Sequence, residues 1–393
     1  MKLFDEFDRI NCNYSEYSEP KFKFINNSAR AGFDEIRCVL EKWFTHYPIS
    51  GQADLRSRFR SKINSHHQAA FFELFLHELL LKLNCKIELH PDIPDKLKTP
   101  DFLVETLKGE RFYLEATLVT NESEAETAAQ ARMNSVYDIL NREVDSTNFS
   151  LAISIKGSPK TPPPAKNLSK FVNERLSELN PDEIIELYYS NKKTEIPFWK
   201  FEYDGWKIEI RPIPKKSEAR GKLGKRPIVM QSTAFRWMDH RTSIKNSIIK
   251  KAKKYGDLNL PYIIAVNILD FIDEIDIEEA LFGKEQFVVD SNNIESNKPS
   301  VARIEYYPDG VWRGPTGPRY TRVSAVLFAK RLFAWSVPST DLLLFHNPWA
   351  KKSINPELIK LPQTFISENQ VKFIKGESIK KILNLPESWP ECI

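Results

Sequence analysis

The stretch that most constrains this chain is residues 68–119, QAAFFELFLHELLLKLNCKIELHPDIPDKLKTPDFLVETLKGERFYLEATLV. It reads as one amphipathic helix followed by three short strands. At about 100° per residue, Phe72, Leu76, Leu79 and Leu83 form a broad apolar arc, and Leu74 and Leu81 lie on a second flank. Glu73, His77 and Asn84 fall between those flanks, whereas Glu78 and Lys82 point the other way, towards water. A carboxylate hemmed in by leucines is expensive to bury unless it is paired or bound to a cation. The alternative for Glu73 is a half-exposed position bonded to His77 one turn on.

The hairpin carries the second half of the signal. Residues 99–105 and 111–119 are rich in β-branched and aromatic side chains, and the loop between them places Gly109 where a hairpin wants it. Pro100 suits a strand start, because it has no N–H to give the ladder. Alternation puts Asp101 and Leu103 on one face of their strand. On the next strand it sets Phe112, Leu114 and Ala116 opposite Arg111, Tyr113, Glu115 and Thr117. Antiparallel pairing then brings Asp101 beside Glu115, although like charges facing each other destabilise a sheet. A divalent cation between them removes the repulsion; without one, at least one acid has a raised pKa. Oxygen-rich ligation of this kind suits Mg²⁺ or Mn²⁺ rather than zinc.

The order helix-Glu, Pro-Asp, then Glu at the end of the next strand resembles the PD-(D/E)xK nuclease superfamily, the restriction-endonuclease-like fold. The resemblance is carried by Glu73 with its following Leu79-Leu80, by Pro100-Asp101 and by Glu115-Ala116-Thr117, and covers residues ~65–160 and, less securely, ~240–270. It implies a catalytic centre of Glu73, Asp101 and Glu115 holding the metal, with His77, Thr117 and Tyr255 lining the site. The departure is Thr117, which stands where that family has lysine. Threonine supplies no positive charge to a developing phosphorane.

The segment 243–256, SIKNSIIKKAKKYG, offers a replacement amine. Ile248, Ile249, Ala252 and Tyr255 form its buried face, Gly256 ends the helix, and Lys250, Lys253 and Lys254 project outwards. Lys251 lies at the edge of the buried arc, one turn before Tyr255, and is the candidate catalytic lysine, with Lys245 as runner-up. The competing reading is a basic helix face that touches phosphate. The following run, 261–269, is almost continuously apolar, as in a strand covered on both faces of a mixed or parallel sheet.

The expected fold is therefore α/β, with a restriction-endonuclease-like core of helix, three strands, helix and strand in a mixed sheet, elaborated at both ends. The core's second helix is read at 122–144 and its last, parallel strand at 149–155. Residues 1–62 read as an N-terminal helical arm, 63–290 as the core with insertions, and 291–393 as a C-terminal α/β extension. Residues 198–213 read as a hairpin around Asp204-Gly205. Strands are expected near 301–307, 324–328 and 341–345, separated by a loop, 310–322, whose Trp312 and Tyr320 either stack on bases or pack on the domain.

The net charge of +4 is too small to mark a nucleic-acid binder, but its distribution is uneven. Lys215, Lys216, Arg220, Lys222, Lys225 and Arg226 gather in one loop against a single acid, and Lys250 and Lys254 follow. These are the candidate phosphate contacts; the competing reading is a flexible solvated loop. Cys12, Cys38, Cys85 and Cys392 lack Cys-x-x-Cys spacing, which argues against zinc and disulfides and for a reducing cytoplasm. No apolar run approaches ~18 residues, so no membrane span is expected. Walker, Gly-x-Ser-x-Gly and Gly-x-Gly-x-x-Gly motifs are absent from the sequence. The expected activity is metal-dependent hydrolysis of DNA, with RNA not excluded. It fits a restriction or phage-defence role, with homodimerisation or partner subunits of a multi-gene system both open. The alternatives are a catalytically inactive relative that binds nucleic acid or a protein, and an unrelated α/β enzyme whose acids form ordinary ion pairs.

Overall fold

Leucine and phenylalanine crowd the 64–82 helix, and the fold buries all of them but the half-buried Leu81. The computed structural model describes residues 1–393 apart from 95, 121–123, 158–160, 162–163, 191–192, 223–225, 234–238, 290–301, 368–369, 387 and 391–393. Helices α1 (Lys21–Asn27), α2 (Ala31–His46), α3 (Ile49–Phe59) and α4 (Asn64–Lys82) lead into strands β1 (Lys86–Leu89), β2 (Phe102–Glu105) and β3 (Arg111–Val119). Next come α5 (Glu124–Glu143), β4 (Phe149–Lys156), α6 (Ala165–Ser177), α7 (Pro181–Tyr189), β5 (Trp199–Tyr203), β6 (Trp206–Pro214) and β7 (Ile228–Thr233). The chain continues through α8 (His240–Ala252), β8 (Tyr262–Ile268), α9 (Glu274–Phe282), β9 (Glu285–Val289) and β10 (Ala302–Tyr306). It ends with β11 (Arg313–Gly314), β12 (Gly317–Pro318), β13 (Ala325–Lys330), β14 (Leu342–His346), β15 (Gln363–Ser367), β16 (Gln370–Ile374) and α10 (Ile379–Leu383).

From His67 to Leu80 every residue of α4 except Ala69 is buried. A helix that is apolar all round belongs in an interior, and the amphipathic reading fails here. Glu78 is the casualty. Instead of facing water it is 1% exposed, with one carboxylate oxygen 2.8 Å from His46 Nδ1 and the other 3.7 Å from Lys82. The cause is α2, which packs over the side of α4 left polar in the sequence.

Contacts divide the chain into two compact units, Met1–Cys12 with Pro20–Asn121 and Asp239–Ile393, and Asn13–Glu19 with Glu122–Met238. The bounds of this division, at 121 and 239, differ from the expected ones at 62 and 290. The first unit is built on an eight-stranded mixed sheet in the order β1-β2-β3-β8-β13-β14-β15-β16. β2 and β3 pair antiparallel, with Phe102 opposite Leu114, and β3 pairs parallel with β8, with Glu115 opposite Ile264. Alternate side chains of β3 serve two layers. Phe112 and Leu114 join the core with α2 and α4, while Tyr113 joins a second core with α8 and α9. β8 is buried along its whole length, as its continuous apolar run predicts.

The second unit holds the helix and strand expected in the core. Its four-stranded sheet runs β5-β6-β4-β7, and β4 pairs antiparallel with β6 and parallel with β7. The parallel neighbour of β3 is thus β8, entered from α8, and not β4. The burial of β4 alternates buried and half-buried, as in a sheet covered on one face only. The hairpin at Asp204-Gly205 is present, with φ of 44° and 82° at those residues and Tyr203 opposite Trp206. In the first unit, Trp312 of the 310–322 loop is fully buried, so the packed alternative holds there.

Candidate functional site

The site grows from the register of the hairpin. β2 begins at Phe102, opposite Leu114, so Asp101 lies one step beyond, beside Glu115 and Ala116. Its Oδ2 accepts the backbone N–H of Ala116 at 2.7 Å, which fixes the carboxylate against β3. Glu115 is completely buried. Its Oε1 receives the amines of Lys251 at 2.6 Å and Lys254 at 2.7 Å, and its Oε2 meets the Tyr255 hydroxyl. That hydroxyl also lies 2.8 Å from the Thr99 carbonyl, so it ties the residue before Pro100-Asp101 to Glu115. Burial and the Glu115 charge push the Tyr255 phenol far up, which keeps it a donor.

Lys254 thus turns inward, contrary to the outward placement expected for it. The helix ends at Ala252, but Lys253 keeps helical backbone angles, so Lys254, three residues after Lys251, comes round to the same flank and its amine reaches the same oxygen. Lys250 and Lys253 are exposed, as expected. Lys245 belongs elsewhere: its amine meets the Asp309 carbonyl, and Arg241 pairs with the Asp309 carboxylate at 2.5 Å.

Glu73 is buried on α4, where Tyr47 donates to its Oε1 at 2.6 Å and Arg58 Nη1 to its Oε2 at 2.8 Å. The bond to His77 considered from sequence is replaced by these two. His77 packs its ring 4.8 Å from that of Tyr47, and burial lowers its pKa to about 4, so it is neutral at ordinary pH. Among the described residues its Nδ1 has no hydrogen-bond partner. Thr117, half-buried, stands opposite Val266 of β8.

Asp101 carries the unrelieved charge. Burial, then Glu115, then Glu73 raise its pKa to about 6, against the Ala116 N–H and Lys251. Among the described residues no three His, Cys, Asp or Glu side chains gather as a metal-ligand group. Of the three acids in the expected set, Asp101 and Glu115 lie side by side on the hairpin, while both oxygens of Glu73 are bonded to Tyr47 and Arg58. The pair Asp101 and Glu115 fits a hard divalent cation in donor chemistry, since both are carboxylates that repel each other. Such a cation competes with the lysine amines for Glu115.

Among known proteins the chain matches no family model, no curated protein and no solved structure. The candidate phosphate contacts of the second unit are partly spent on their own fold. The Lys215 amine meets the Ser146 carbonyl, Arg220 pairs with Asp182 at 2.8 Å, and Arg226 lies over the rings of Tyr14 and Tyr17. Lys216 and Lys222 are exposed, and Lys225, like Cys392, lies outside the described residues. Tyr47 and Arg58 were invisible to sequence reasoning. They sit 26 and 15 residues before Glu73, and no spacing rule links separate helices.

Proposed function

We propose that this chain is a metal-dependent nuclease of the restriction-endonuclease-like kind, acting on DNA through Asp101, Glu115 and Lys251. The observation that carries the reading is the meeting of Asp101 and Glu115 on the hairpin with two lysine amines from the end of α8. Lys251 takes the place that Thr117 leaves vacant. Asp101 and Glu115 would hold Mg²⁺ or Mn²⁺, which supplies Lewis-acid stabilisation of the phosphate and lowers the pKa of attacking water. Ala116 orients Asp101 through its N–H, and Tyr255 orients Glu115 while anchoring the Thr99 carbonyl. Lys251 and Lys254 bring ammonium groups to the point where a phosphate would gather negative charge. Glu73 acts from one step back, through its charge on Asp101.

A second reading has its own support. Glu115 and Glu73 are already neutralised by lysine and arginine, so the arrangement stands without a cation, as an inactive nucleic-acid-binding or protein-binding relative would need. Cleavage of plasmid and oligonucleotide substrates with Mg²⁺ or Mn²⁺ separates the two. The nuclease reading expects cleavage by the native chain and none by Glu115→Gln. Binding without cleavage across DNA and RNA substrates supports the inactive reading.

A further inference from the structure

The second unit presents a sheet face that the reading above does not use. Phe149, Leu151, Ile153 and Ile155 of β4, Phe201 of β5, and Trp206, Ile208 and Ile210 of β6 turn inward to its helices. The residues between them form the opposite face. Register sets them in rows: Arg211 beside Ala152, Glu209 between Lys200 and Ser154, and Lys207 between Glu202 and Lys156. Lys156, Lys200, Lys207 and Arg211 are all exposed, and among the described residues of these strands only Glu202 and Glu209 oppose them. Glu209 is committed to Lys156 at 3.0 Å, so positive charge remains in excess. Along β4 the row is Ser150, Ala152 and Ser154, small side chains that leave the middle of the face low.

At the edge of this face stands Phe198, 41% exposed, with the Arg211 guanidinium 5.2 Å and the Lys200 amine 5.7 Å from its ring centre. A part-exposed ring with cations over it, on a flat sheet, matches one class of ligand: unpaired bases that stack on the ring and its guanidinium, strung on phosphates that seek positive charge. A duplex hides its base faces, and an acidic peptide has no need of the ring. We propose that this face binds single-stranded nucleic acid, with a base stacked on Phe198 and phosphates met by Lys200, Lys207 and Arg211. The inference does not depend on catalysis at Asp101 and Glu115.

Fluorescence anisotropy of labelled oligothymidylate and oligouridylate with the full chain, in EDTA, tests it apart from any cleavage. Phe198→Ala should weaken binding about tenfold, within the range for loss of one stacked base, and Phe198→Trp should retain it. Lys207→Ala and Arg211→Ala should each flatten the dependence of log K on log salt by about 0.7. Binding by Phe198→Ala equal to that of the native chain would overturn the proposal and leave only a basic surface. Competition by duplex DNA or polyglutamate as strong as by the single strand would overturn it too, as would no binding at all. Failure of the nuclease reading would appear separately, as an absence of cleavage with metal present.

Discussion

Glu73 and Glu115 are both buried glutamates met by cations, yet their surroundings are built differently. Glu73 has one guanidinium and one phenol, from Arg58 and Tyr47, and both of its oxygens are filled. Glu115 has two lysine amines on a single oxygen, while Asp101 beside it has, among the described residues, a backbone N–H alone. Arginine suits a fixed, forked pair, whereas lysine is a compact charge on a flexible stem that can change partners. A structural acid needs one good cation. An acid given two lysine amines, next to an acid bonded by none, is on the proposed reading a cluster in which a metal would take the carboxylates and a phosphate the amines.

The largest effect expected from this contrast is on cleavage. Asp101→Asn and Glu115→Gln should each lower turnover on the order of a thousandfold, the several kcal/mol that metal stabilisation supplies. Glu73→Gln should cost far less. Equal losses in single-turnover assays of all three variants would erase the distinction between the two glutamates.

Stability should follow the opposite order. Arg58→Ala strands Glu73 in the interior and should cost about 3 kcal/mol in urea unfolding, at the low end for a broken buried pair because Arg58 partly reaches water. Lys254→Ala should cost about 1 kcal/mol or less, since Lys251 and Tyr255 still hold Glu115. A Lys254 variant weaker than the Arg58 variant would make Glu115 the structural acid and break the comparison.

The two faces of α8 sharpen it further. Lys251→Ala should reduce turnover about a hundredfold with binding unchanged, as for loss of one positioned charge that stabilises the transition state. Lys250→Ala, on the exposed face, should leave turnover intact and flatten the salt dependence of duplex binding by about 0.9. Identical profiles for the two variants would reduce Lys251 to a phosphate contact.

The smallest effect is in pH. The Asp101 pKa is raised to about 6 in the folded chain, above its ordinary value, so the native state binds this proton more tightly than the unfolded state. The resulting penalty is fully present above pH 6 and is relieved as pH falls through 6 towards the ordinary aspartate range. Asp101→Asn should therefore gain a few degrees in Tm over the native chain near neutral pH, by roughly the shift expected of 1 kcal/mol, and lose that advantage near pH 4. A pH-independent difference between the two melting curves would assign the cause to something other than this proton.

The sequence made the hairpin readable because strand alternation and Pro100 specify which residues share a face, and Asp101 and Glu115 meet as that alternation requires. β8 is equally plain from its run of apolar residues, broken by Asn267 alone. β4 follows β3 closely in the chain yet joins another sheet, and its own residues, Phe-Ser-Leu-Ala-Ile-Ser-Ile, alternate as a half-covered strand should rather than as a strand buried on both faces. Glu78 and Lys254 depart from the helical wheel's outward placement for different reasons. α2 covers the polar side of α4, and Lys254 comes round to the flank of Lys251, three residues before it. The Tyr47 and Arg58 pairing with Glu73 is a product of helix packing and has no local signature.

The most direct measurement is a crystal structure of the chain grown with Mn²⁺, with anomalous scattering used to locate the ion. The account predicts an ion within liganding distance of both Asp101 and Glu115, with at least one of the Lys251 and Lys254 amines displaced from Glu115. An anomalous map with no ion there at millimolar Mn²⁺, and both amines still on Glu115, would contradict it.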